Sequence, residues 1–260
     1  MSLKNTKAVV TGASRGLGLE VSKKFIELGA SVVGISRSGD NSTIKADVSY
    51  DHDAKISVYQ ATNKMNGLNT LVCNAGVYGP IGPSEDNNWS EWLYALKTNL
   101  FGVVSMCRYV LPKMKQQRQG KIIILSGGGA TKPMPNFSAY AASKAAVVRY
   151  AETLAEEVAD YNIQVNCVAP GSMNTEFMEK VLSAGPEKAG QEFYDRMVKQ
   201  KEVGGDSIEL AAELIAYLAS NESNHITGRL ISAVWDDWRN IKDLKPDMYT
   251  LRRIDKESML

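Results

Sequence analysis

A chain of 260 residues, 44% hydrophobic and with a formal net charge of +1, has the size and apolar content of one large α/β unit with a substantial core. The near-zero charge gives no long-range attraction to nucleic acid or an anionic membrane, so neither is expected as a partner. Apolar runs are strand-sized, far below the roughly 20 residues that span a bilayer. The segment Met1 to Asn5 is too polar and short for a secretory signal, and a cytoplasmic location is expected.

The first run, Lys7 to Val10, reads as a short buried strand. Thr11-Gly12-Ala13-Ser14-Arg15-Gly16-Leu17-Gly18 follows it and opens a helix whose apolar Val21, Phe25 and Leu28 recur at helical spacing up to Gly29. In such a strand–turn–helix, Gly12 turns without a Cβ penalty, Gly16 lets backbone approach a pyrophosphate, and Gly18 permits close packing of helix on sheet. The free N–H groups at the helix start then face the anion. This predicts a dinucleotide site.

Ser31 to Ile35 reads as the second strand, completing a βαβ unit. An NAD-selective site usually has a carboxylate at the end of this strand, where this chain has Ser36 followed by Arg37. The guanidinium fork of Arg37 suits a 2′-phosphate, and Arg15 is a second candidate for it. NADP(H) is therefore the expected cofactor, with NAD(H) as the alternative. Asp47, in Ala46-Asp47-Val48, has a carboxylate able to accept from an adenine amino group, with Val48 against the ring.

The alternation continues with a strand at Leu71 to Cys73 and a long helical region from Trp89 to Val110, stopped near Pro112. A strand at Ile122 to Leu125 ends in Ser126-Gly127-Gly128-Gly129, and a second long helix runs from Ala139 to Tyr161. A strand at Gln164 to Val168 ends at Pro170-Gly171. Residues 172–205 form an irregular insertion with Phe177, Met178, Phe193, Tyr194 and Met197, either a cover for a substrate or a plain surface helical excursion. A helix at Ile208 to Leu218 and a last strand at Leu230 to Val234 complete the chain. Each functional cluster follows the carboxyl end of a strand, where doubly wound sheets bind ligands.

Cys73, Cys107 and Cys167 form an odd, widely spaced set with no C-x-x-C pair, so they are expected to pack as small hydrophobes. The histidines, His52 and His225, have no ligand partners at metal-binding spacing, and no metal site is expected.

Tyr140-Ala141-Ala142-Ser143-Lys144 stacks a phenol and an ammonium on one helical face. The ammonium, together with the positive ring of an oxidised nicotinamide, is expected to favour the phenolate and bring a poor acid–base group, with an ordinary pKa of about 10, toward neutrality. Such a tyrosine would donate a proton to a carbonyl oxygen in reduction and take one back in oxidation. Taken together, the glycine turn, Ala46-Asp47-Val48, Asn74-Ala75-Gly76, Asn99, Tyr140 to Lys144 and Pro170 to Thr175 resemble the classical short-chain dehydrogenase/reductase family over nearly the whole chain.

That resemblance implies a single Rossmann-like catalytic domain over residues 1–260, a three-layer α/β/α sandwich around a mainly parallel seven-stranded sheet. It also implies a homodimer or homotetramer. Asn74, Ala75 and Gly76 would support the central sheet and the adenosine side of the cofactor. Asn99 would hold a helix bulge and a water on a proton relay to Lys144, which would also hold the nicotinamide ribose. Thr175, after Pro170-Gly171, would bond the nicotinamide carboxamide.

The family serine usually lies 13 residues before the tyrosine, but position 127 is glycine and Ser126 is one residue further away. In an extended segment a one-residue slip reverses a side chain, which would make Ser126 a structural serine facing the sheet packing. The three following glycines are also permissive enough to turn it inward as the carbonyl-orienting hydroxyl, and both readings stay open. The expected function is interconversion of a ketone and a secondary alcohol. The alternatives are an NAD-preferring dehydrogenase of a sugar or nucleotide-sugar hydroxyl, for which Trp235 and Trp238 offer stacking faces, and a cofactor-sensing protein without turnover.

Overall fold

The computed structural model describes residues 1–39, 43–242, 244–245 and 247–252. Seven strands form the sheet: β1 (Lys7–Thr11), β2 (Ser31–Ser36), β3 (Thr43–Lys45), β4 (Thr70–Cys73), β5 (Gly120–Leu125), β6 (Ile163–Ala169) and β7 (Leu230–Ser232). They lie in the order β3-β2-β1-β4-β5-β6-β7, every neighbouring pair parallel. Parallel pairing requires crossovers, and the helices that supply them cover both faces.

Successive strand residues feed opposite cores. Val9, Leu71, Ile122, Ile124 and Val165 pack against α2 (Asp51–Met65), α4 (Gly102–Gln117) and α5 (Ser138–Glu157). Ala8, Val10, Val72, Ile123 and Val168 pack against α1 (Gly16–Glu27) and α8 (Ile208–Ala219). The result is the expected three-layer sandwich. Cys73, Cys107 and Cys167 are free and buried. Among the described residues no helix is long and apolar enough to cross a membrane.

The chain departs from the expected elements at several points. The region 89–110 is not one helix: α3 (Trp89–Leu96) passes through a π turn at Lys97–Phe101 into α4, which continues past Pro112 to Gln117. Buried Met114 anchors the turn beyond the proline, tertiary packing offsetting the lost helical bond. The segment 172–205 is ordered as α6 (Glu176–Ala189) and α7 (Gln191–Val203), separated by Gly190 at φ +85°. Met178, Val181 and Met197 bury a small third core with Tyr78 and Phe137. The last strand stops at Ser232, two residues early.

Between β1 and β4 the winding of the chain reverses, and the carboxyl ends of these two strands flank the crevice where open sheets take ligands. At the same level β5 delivers Ser126 and Gly127, and β6 delivers Pro170 and Gly171.

Lys121, in central β5, is 7% exposed, its ammonium 3.4 Å from Ser223 Oγ. Burial pushes its pKa down to about 8 from 10.5. Below pH 8 both the folded and unfolded chains carry this proton, and the burial penalty is fully present. Between about pH 8 and 10.5 the unfolded chain binds the extra proton, so stability from this group rises with pH. Lys121→Met is therefore expected to stabilise the protein by about 2–3 kcal/mol at pH 7, an advantage that disappears by about pH 10.5 in urea titrations run at both pH values.

Candidate active site

The turn after β1 depends on backbone that side chains resist: Gly12 has φ +66° and Gly16 φ +54°. A Cβ on Gly18 would collide with the Gly12 carbonyl, so α1 begins flush against the turn. Arg15 is the residue before the helix, and no side chain caps the first turn. Nothing stands within 4 Å of where a Gly16 side chain would project. Uncapped N–H groups with open space before them fit the pyrophosphate of a dinucleotide.

Asn74 ties this turn to the neighbouring strand. Its Nδ2 donates to the Thr11 carbonyl at 3.0 Å and the Gly12 carbonyl at 3.2 Å, while the N–H groups of Asn74 and Ala75 both donate to Thr11 Oγ1 at 3.0 Å. Asn99 lies in the π turn, fully buried. Its amide pairs with both polar groups of the Val77 backbone at 2.8 Å and donates to Ser143 Oγ at 2.9 Å.

Tyr140 and Lys144 stand on one face of α5. The buried Lys144 Nζ donates to the Leu125 carbonyl at the end of β5 (2.8 Å) and lies 5.7 Å from the centre of the Tyr140 ring. Burial pushes the ammonium down to about 8. The Tyr140 phenol is pushed well up, first by burial and then by repulsion from Tyr78. Burial thus acts against the lowering expected from Lys144 and an oxidised nicotinamide ring together.

Gly127 is extended (φ −179°, ψ 175°), a conformation open to any residue, but a Cβ there would overlap the Tyr140 hydroxyl. The side-chain direction at 127, not at 126, faces the phenol. Ser126 borders the cavity, yet it is only 3% exposed and its hydroxyl is directed at the Lys144 carbonyl, 3.5 Å away. The three glycines do not turn it toward Tyr140, because the extended backbone alternates its side chains.

On the cofactor side, both arginines have partners. Arg15 Nη2 lies 2.5 Å from Glu176 Oε2 at the start of α6. Arg37 Nη1 donates to Tyr94 Oη at 3.0 Å, and Tyr94 donates on to Asp47 Oδ2 at 3.2 Å. Asp47 Oδ1 accepts from the Ser49 N–H at 2.9 Å, and Ser36 Oγ pairs with Thr43 Oγ1 at 3.0 Å. Gly171 (φ +96°) brings the loop to Asp206, which accepts from the Ser172 N–H at 2.6 Å. Thr175 precedes the first turn of α6.

One cavity of about 1730 Å³ is bordered by Gly12, Ser14, Arg15, Gly16, Leu17, Arg37, Asp47, Val48, Asn74, Ala75, Gly76, Ser126, Tyr140, Lys144, Pro170, Gly171 and Thr175. Gly18 and Asn99 lie behind its wall. The volume exceeds the usual 300–1,000 Å³ of a small-molecule pocket and has room for a dinucleotide and a substrate together.

A family model described as short chain dehydrogenase matches residues 6–185. The chain belongs to the short-chain dehydrogenase family. Dehydrogenase/reductase SDR family member 4 of Sus scrofa is 30% identical over 244 residues, covering 88% of this chain and 86% of the relative. The 3beta-hydroxysteroid dehydrogenase 1 of Eggerthella lenta is 33% identical over 243 residues, covering 87% and 91%. Among solved structures, the aldohexose dehydrogenase of Thermoplasma acidophilum aligns with a TM-score of 0.76 at 25% identity, covering 86% of this chain and 91% of that one.

As a short-chain dehydrogenase the protein is an NAD(P)-dependent oxidoreductase acting on CH–OH groups, built on an NAD(P)-binding Rossmann fold. Four residues of this dehydrogenase site escaped the sequence reading. Tyr78 meets Tyr140 edge-on with centroids 4.7 Å apart. Phe177, a cover residue by its place in 172–205, packs on Tyr78 at 4.6 Å. Tyr94 and Glu176 hold the arginines. Tyr78, two residues after Gly76, had a positional hint; Tyr94 and Glu176 meet their partners only through long-range folding.

Proposed function

We propose that this short-chain dehydrogenase interconverts a ketone and a secondary alcohol with NADP(H), Tyr140 acting as general acid in reduction and general base in oxidation. The observation that carries the reading is that Tyr140 and Lys144, one helical turn apart, border the same cavity as the uncapped start of α1. The dinucleotide, when bound, supplies or accepts the hydride at the carbonyl carbon. Tyr140 Oη passes its proton to the carbonyl oxygen, and its raised pKa keeps the phenol protonated at neutral pH, the state that reduction requires. Lys144 holds the nicotinamide ribose and stabilises negative charge as it develops on the phenol oxygen.

The remaining assignments follow the same reading. Gly12, Ser14, Arg15, Gly16, Leu17 and Gly18 form the pyrophosphate turn, and Asp47 and Val48 take the adenine. Asn74, Ala75 and Gly76 support the adenosine side, and Pro170, Gly171 and Thr175 take the carboxamide end. Asn99 is a positioning residue through Val77 and Ser143. Ser126 serves the site through the Lys144 backbone instead of through substrate. Residues 1–260 act as one catalytic domain, with 172–205 covering the substrate, in a cytoplasmic homodimer or homotetramer.

The preference for NADP rests on Arg37 and Arg15, with Ser36 where a ribose-binding acid would repel a phosphate. Arg37→Ala is expected to raise the Kd of NADP about tenfold or more while leaving that of NAD within threefold. Glu176→Gln removes an exposed ion pair that competes for Arg15, and is expected to tighten NADP by about two- to fivefold. Titration by nucleotide fluorescence reads both; Kd values for NADP and NAD within threefold of each other, unmoved by Arg37→Ala, would refute the preference.

A sugar hydroxyl is the second reading. Trp235 borders the cavity with 85% of its surface exposed, a flat face able to stack on a sugar ring, and an aldohexose dehydrogenase is among the structural relatives. A panel separates the two: cyclohexanone, 2,3-butanedione, ethyl acetoacetate and a 3-oxosteroid with NADPH, against D-glucose and D-xylose with each oxidised cofactor. In whichever direction turnover appears, Tyr140→Phe is expected to abolish it while retaining cofactor binding. Full activity in that variant would remove Tyr140 from the mechanism.

A further inference from the structure

At position 127, beside the Tyr140 hydroxyl, the site offers no side-chain donor. A carbonyl oxygen gaining charge as hydride arrives has two lone pairs and is held best by two donors aimed at it. Tyr140 supplies one. Position 127 has no side chain, and the Ser126 hydroxyl is directed at the Lys144 carbonyl.

Tyr78 packs against Tyr140 and makes no side-chain hydrogen bond among the described residues. Its residue is 9% exposed, and it borders the cavity that Tyr140 borders. Its ring meets Tyr140 at a centroid distance of 4.7 Å and an interplanar angle of 68°, with Phe137 at 5.2 Å and Phe177 at 4.6 Å fixing it from the other sides. Among the described residues neither phenol oxygen has a hydrogen-bond partner, and neither oxygen is sealed from the cavity. Two neighbouring phenols with open donor capacity toward one cavity can present both hydroxyls to one ligand oxygen.

We propose that Tyr78 is a second catalytic residue, donating its O–H to the substrate oxygen that Tyr140 protonates, in the role left open by Gly127. The inference rests on the reading of Tyr140 given above. In reduction the hydride bonds to the carbonyl carbon, the carbonyl π pair moves to oxygen, and the Tyr140 proton completes the hydroxyl. Tyr78 keeps its own proton throughout and contributes only a hydrogen bond that strengthens as charge develops. Burial holds its pKa up at about 12, so it remains a donor across the working range of pH.

The test is Tyr78→Phe, which removes the oxygen and keeps the ring packing, run beside Tyr140→Phe with the member of the panel above that the native enzyme turns over fastest. The expected result is a fall in kcat of tenfold or more, with the Kd of NADPH within twofold and the thermal midpoint unchanged or higher, since an unpaired hydroxyl leaves a mostly buried ring. An unchanged kcat in Tyr78→Phe beside an inactive Tyr140→Phe overturns the role of Tyr78 alone. Loss of NADPH binding in Tyr78→Phe also overturns it, because a hydroxyl that acts on the substrate oxygen has no part in holding the cofactor. Full turnover in Tyr140→Phe defeats the underlying reading instead.

Discussion

The bond from Lys144 Nζ to the Leu125 carbonyl, 2.8 Å long and buried, is the constraint on which the rest of the site depends. An ammonium out of water is costly unless something accepts from it, and the acceptor here is the last carbonyl of a central strand. The bond fixes α5 along the end of β5. Because Tyr140 lies one turn earlier on the same face, its phenol is thereby set beside Gly127, the second residue beyond that strand. The depressed lysine pKa and the raised tyrosine pKa are two consequences of the same burial.

Around that fixed pair, two neighbouring elements are tied by side-chain amide hydrogen bonds instead of by charge. Asn74 holds the glycine turn to β4, and Asn99 holds the Val77 backbone to α5 through Ser143. The Asn99 amide is engaged at both ends by protein groups, and the Asn74 Nδ2 is spent on the glycine turn, so both serve as scaffold. The groups with unused capacity face the cavity: the first turn of α1, Tyr78 and Tyr140. Chemistry is thus left to residues with open valence, and rigidity to residues without it. The arginines stand between these extremes, engaged by Glu176 and Tyr94 through exposed contacts that a phosphate can displace at small cost.

The fold was largely legible because buried parallel strands and glycine turns write local signals. Val9 and Leu71 sit in short apolar runs, and Gly12 stands where positive φ is required. The missing pieces lacked such signals. The buried face of α2 is Ala54, Ser57, Val58 and Ala61, while its Ile56 and Tyr59 face outward, so no large-residue stripe announces the helix. Three-residue β3 is only half-buried. The π turn at Lys97–Phe101 keeps a helical pattern in sequence and is revealed by its bonding alone. Within the site, the positions of the motif residues could be read from their spacing, but the direction of Ser126 could not, since it depended on whether extended backbone continued through Gly127. The pairing of Arg37 with Tyr94 joins residues 57 apart in sequence, beyond the reach of any local pattern.

The central claim is that hydride passes directly between a nicotinamide and a carbon whose oxygen is held at Tyr140. Reduction of an accepted ketone with NADPH carrying deuterium at the transferable C4 position, followed by mass spectrometry of the alcohol, tests it most directly. The account predicts one deuterium retained on the carbinol carbon of each product molecule. A product whose new carbon-bound hydrogen comes from solvent would contradict it.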